Sequence, residues 1–96
     1  MNIGKAIKEL RKEQGLNQAE LAKSSNITQA ALSQIENGKR PGTTTIVNLA
    51  KALNVSESLI YVMGMEKGDV PKQNQRLYDD LFPVIKGLVH KIGGKE

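Results

Sequence analysis

The strongest constraint in this sequence is its punctuation. Gly15, Ser25-Asn26, Asn37-Gly38, Asn54 and Gly64 interrupt a run of helical periodicities, so every helix before Gly64 must be short. Glycine lacks a Cβ and asparagine tolerates a left-handed backbone, which makes both natural helix stops. Ile3, Ala6, Ile7 and Leu10 make the first apolar stripe, with Lys5, Lys8, Glu9 and Lys12 on the other faces. That helix is predicted to end near Gln14, where Gly15 turns left-handed and Leu16 folds back as the accompanying apolar contact. Asn17 and Glu20 have capping-box spacing for a second helix over about 17–24. Thr28 can cap a third over about 28–36, in which Ala31, Leu32 and Ile35 face one way and Gln29, Ala30, Ser33 and Gln34 another. Thr43 or Thr44 is expected to cap a fourth with the stripe Ile46, Leu49, Ala50 and Leu53. Ser56 caps a fifth, with Val55 stapled onto Leu59 or Ile60.

No alternating strand pattern occurs, so the expected class is all-α. A chain of 96 residues with 39% hydrophobic content has room for one core and an appendage, and its thin margin makes oligomerisation a live question. The absence of cysteine excludes disulfides, thiolate metal sites and a cysteine nucleophile. With one histidine, no glycine-rich phosphate loop and no clustered carboxylates, no catalytic residue, metal site or cofactor is expected, and the chain is not read as an enzyme. No stretch approaches the roughly 18 apolar residues of a membrane span, and the N-terminus lacks a signal-peptide core, so a soluble cytoplasmic protein without a membrane partner is expected. The formal charge of +4 hints at a polyanionic partner without naming one.

The sharper signal is a spacing. Counting from Gln18, the special positions are Ala22 at fifth, Asn26 at ninth, Leu32 at fifteenth and Ile35 at eighteenth. A small residue lets the two helices cross closely, asparagine takes the turn, and two aliphatics anchor the second helix: this is the helix-turn-helix motif. The segments LRKEQGLNQAELA, IENGKRP and LAKALNVS, spread over about residues 3–63, resemble the phage-repressor and Cro type of helix-turn-helix regulator, also called the xenobiotic-response-element family. Asn26 departs from the glycine usual there. The resemblance implies a five-helix, lambda-repressor-like DNA-binding domain over residues 1–64, whose third helix enters the major groove of double-stranded DNA.

On that helix Gln29, Ala30, Ser33 and Gln34 are the candidate base readers. Gln29 can present its amide bidentate to adenine, and Ala30 can meet a thymine methyl. Candidate phosphate ligands are Gln18 at the start of helix two, then Asn37, Lys39, Arg40, Thr43 and Thr44 on the loop and helix start that the resemblance places along the DNA backbone. The resemblance also implies a structural ion pair between Arg11 and Glu36 beneath the DNA-facing surface.

Residues 65–72 read as a linker and 73–96 as an amphipathic helical tail, which Pro83 bends or splits. Leu77, Tyr78, Leu81, Phe82, Ile85, Leu88, Val89 and Ile92 form its apolar face, too apolar to be left in water. The face either folds back onto helix five or makes a two-fold homodimer, and DNA recognition by paired helices favours the dimer. His90 is placed at the rim. The expected function is a dimeric repressor on a pseudo-palindromic operator. The alternatives are the antitoxin of a toxin–antitoxin pair, whose tail binds a partner protein, or a helix-turn-helix module used for protein interaction.

Overall fold

The computed structural model describes residues 1–94, with side chains described through Lys91, so the side chain of Ile92 lies outside the described residues. Six α-helices follow one another: α1 (Ile3–Glu13), α2 (Gln18–Ser24), α3 (Gln29–Glu36), α4 (Thr43–Leu53), α5 (Glu57–Gly64) and α6 (Gln75–Gly94). Among the described residues there is no strand, so the class is all-α as expected.

The punctuation does what its chemistry allows. At the end of α1 the Leu16 N–H donates to the Arg11 carbonyl and the Gly15 N–H to that of Lys12, while Gly15 sits at φ +73°. The same double closure follows α2 at Asn26 (φ +60°), α3 at Gly38 (φ +116°) and α4 at Asn54 (φ +56°). Each satisfies carbonyls that a helix end would otherwise leave bare. At the starts, Asn17 and Glu20 form the reciprocal box, and the Thr28 and Ser56 hydroxyls accept from the Ala31 and Leu59 N–H groups. One expectation fails: α4 is entered from Gly42, with no side-chain cap, so Thr43 and Thr44 lie inside its first turn.

The apolar stripes converge on one core: Ile3, Ala6, Ile7 and Leu10 from α1, Leu21 and Ala22 from α2, Leu32 and Ile35 from α3, Ile46, Leu49, Ala50 and Leu53 from α4, and Ile60 and Met63 from α5. Burying such side chains is worth about 1.5–3 kcal/mol each before conformational entropy is charged against it. Gly4 lets α1 pass the end of α3, since a Cβ there would stand 1.8 Å from the Ile35 carbonyl oxygen.

The tail corrects two expectations. Of the two effects expected of Pro83, a bend or a split, the split does not occur, because α6 runs through the proline as one helix. The helix folds back, yet principally onto α1 rather than α5. Val89 enters the common core, with Ile85 packed against it. Glu9 pairs with Lys86, and Glu13 with His90 at 3.0 Å. Residues 65–74 form a tethered strap with two short 3-10 turns, Lys67–Asp69 and Lys72–Asn74. Lys67 reaches Asp79, Gln75 donates to the Lys67 and Val70 carbonyls, and the Tyr78 hydroxyl donates to that of Met65. The Met1 ammonium joins the strap at Glu66 (2.8 Å) and Asp69 (2.6 Å), and these partners hold it above its usual pKa, Asp69 first. No helix among the described residues is long and apolar enough to cross a membrane.

Candidate nucleic-acid interface

The α2–turn–α3 unit is built by the spacing noted above. Ala22 is buried, α2 packs against α3, and the left-handed Asn26 reverses the chain between them. Leu32 and Ile35 are buried in the core. Their burial rotates the opposite side of α3 outward: Gln29, Ala30 and Gln34 are exposed and Ser33 is half-buried. The four candidate base readers therefore lie on or beside the free face of one short helix.

The flanking segment is equally open. Asn37, Lys39 and Arg40 are exposed, whereas Pro41 is buried and pins the loop. Among the described residues no ion pair engages Lys39 or Arg40. Thr43 and Thr44 are exposed at the uncapped start of α4. Free N–H groups, hydroxyls and two unneutralised cations together suit an anionic backbone.

Beneath this surface lies a compact ionic cluster. Arg11 Nε donates to Glu36 Oε2 at 2.7 Å and Arg11 Nη2 to Glu36 Oε1 at 3.0 Å, while Arg11 Nη1 donates to the Leu16 carbonyl at 2.8 Å. The Arg11 and Glu36 side chains are 10% and 2% exposed, so the pair is buried. Gln18 joins it, Nε2 donating to Glu36 Oε1 at 3.0 Å. Burial pushes the Glu36 carboxyl up, but the hydrogen bonds from Arg11 and Gln18 and the charges of Arg11 and Lys8 outweigh it, holding the carboxyl below its usual pKa.

The link from Gln18 to Glu36 was not legible in the sequence. Eighteen residues separate them, and a glutamine at a helix start carries no mark of its partner. The close passage at Gly4 was equally hidden, because a glycine inside an apolar stripe reads only as a weak helix former.

A family model described as helix-turn-helix matches residues 7–60, more than half of the chain. The chain belongs to the helix-turn-helix family. Within it, the chain resembles regulators of the phage-repressor, Cro/C1 type. It is 41% identical over 64 residues to the competence pilus inhibition repressor of Acinetobacter baylyi, covering 66% of this chain and 58% of that protein. It is 41% identical over 66 residues to the HTH-type transcriptional repressor RghR of Bacillus subtilis (66% and 49%) and 38% identical over 76 residues to the HTH-type transcriptional regulator ImmR of Bacillus subtilis (78% and 57%). The chain thus spans about half the length of these relatives. No solved structure matches it significantly.

Proposed function

We propose that this helix-turn-helix chain is a sequence-specific DNA-binding transcriptional regulator, acting as a repressor on a pseudo-palindromic operator. The observation that carries the proposal is the division of α3. Leu32 and Ile35 fix it in the core while Gln29, Ala30 and Gln34 stand outward, followed in the chain by Lys39 and Arg40, which no ion pair among the described residues engages, and by the uncapped start of α4. In the major groove Gln29 takes an adenine edge, a contact worth about 1–3 kcal/mol of discrimination, with Ala30, Ser33 and Gln34 reading its neighbours. Asn37, Lys39, Arg40, Thr43 and Thr44 hold phosphates and set the register. Two of the relatives above are themselves named repressors.

The homodimer belongs to the same proposal, with its surface narrowed. Val89 is buried and Tyr78, Phe82 and Ile85 are half-buried, whereas Leu77, Leu81, Val84 and Leu88 are exposed by 50–61%. These four recur at steps of four, three and four residues, the spacing of a two-helix seam. Pairing α6 with a second copy covers that seam and lets two α3 helices enter major grooves about 34 Å apart. Residues 1–64 thus read DNA, and the tail brings two readers together.

Selection of binding sites from random duplexes is expected to return an inverted repeat; return of no enriched sequence would remove the proposal. On the selected site, the K39A/R40A variant is expected to bind more weakly and to flatten the slope of log K against log salt by about 1.8, at about 0.9 per lost phosphate contact. An unchanged slope would take those two residues off the DNA.

A further inference from the structure

We infer that the Gln18 side chain is a positioning residue for recognition, spent on Glu36 inside the protein rather than on a phosphate. The inference rests on the proposed DNA-reading role of α3. Glu36 is the last residue of α3, where the negative end of the helix dipole opposes a carboxylate, and its side chain is 2% exposed. A charge in such a place persists only if its oxygens are filled with donors. Arg11 Nε takes Oε2, and Oε1 is shared by Arg11 Nη2 and Gln18 Nε2 at 3.0 Å each.

Those donors come from different elements. Arg11 lies near the end of α1, and its third donor grips the Leu16 carbonyl in the loop before α2. Gln18 is the first residue of α2. The carboxylate therefore ties the end of the reading helix to α1 and to the start of α2. The apolar contacts that Ala22, Leu32 and Ile35 make in the core are not directional. A hydrogen bond to a charged group is directional and strong. Gln18 thus fixes how α3 is presented, and with it the register of Gln29, Ala30, Ser33 and Gln34 against the bases.

An exchange of the two groups separates this role from a phosphate contact. Q18E sets a second carboxylate against Glu36 and is expected to weaken operator binding at least tenfold; E36Q removes the charge that Arg11 and Gln18 surround and weakens it too. The combined Q18E/E36Q chain restores one amide, one carboxylate and one negative charge beside Arg11, and is expected to recover most of the lost affinity. A glutamate at position 18 would repel a phosphate in either background, so a double variant as weak as Q18E alone overturns the inference.

Measurements on DNA-free protein complete the test. The carboxyl of Glu36, followed by NMR, is expected to titrate higher in Q18M, which keeps the length of the side chain and loses the donor. An unmoved titration also overturns the inference. Failure of the wild-type chain to bind any selected DNA would instead overturn the proposed function, leaving the titration to judge the link between Gln18 and Glu36.

Discussion

At the residue scale, Glu36 is the most consequential side chain outside the apolar core. Removing one partner of a buried ion pair leaves the other charged and unpaired, at a cost of about 3–5 kcal/mol. E36A is therefore expected to lower the melting temperature by about 12 °C or more for a chain of this size, as calorimetry would show; a shift of only a degree or two would mean that the pair is effectively solvated. The pH dependence follows from the depressed pKa. A carboxyl that titrates lower when folded stabilises the fold fully above its unfolded value of about 4.3, and the contribution fades as pH falls through the folded value. Urea midpoints of wild type and E36Q should accordingly converge on acidification, and a gap that widens would contradict the assignment. The ion pair was expected only through family resemblance. Nothing in the local sequence brings residues 11 and 36 together, and only the packing of α1 against α3 makes them neighbours.

At the scale of elements, the helix ends were largely legible because their chemistry is local. A capping box needs only the spacing of Asn17 and Glu20, and a left-handed closure needs only glycine or asparagine at the next position. Asn26 is the informative case, holding φ +60° where the family usually has glycine. A side chain with a Cβ and no local hydrogen bonding costs about 1–2 kcal/mol in that region, asparagine less, and glycine nothing. Melting temperatures are expected to fall in the order N26G, wild type, N26A. If N26A melts with wild type, the turn does not depend on the left-handed residue. The start of α4 escaped the sequence because three threonines in succession offer equivalent caps, and the buried Pro41 chooses the entry at Gly42 instead.

At the scale of the molecule, α6 carries two stripes with the same spacing, offset by one residue. Tyr78, Phe82, Ile85 and Val89 turn toward their own chain, and Leu77, Leu81, Val84 and Leu88 turn outward. The two stripes should respond differently to substitution. V89A is expected to cost about 2 kcal/mol of stability, the usual range for trimming a core side chain. L81K/L88K is expected to keep the wild-type melting behaviour at low concentration while sedimenting as a monomer and losing affinity for the paired site. Sedimentation of L81K/L88K as a stable dimer would move the interface elsewhere. The buried stripe and the outward stripe proposed for association are thus neighbouring sides of one helix.

The sequence by itself determined the number of the first five helices and their bounds apart from the start of α4, the helix-turn-helix spacing and the outward set on α3. All of these depend on neighbours within a few positions, where capping, turn geometry and periodicity act. It also marked the tail as apolar, and left open which side of it would be buried. The tertiary structure decided that division, seated α6 on α1, and brought Gln18 to a carboxylate eighteen residues away. Those outcomes depend on which surfaces meet once the helices pack, and a one-residue offset on a helix becomes decisive only when a partner covers one side of it.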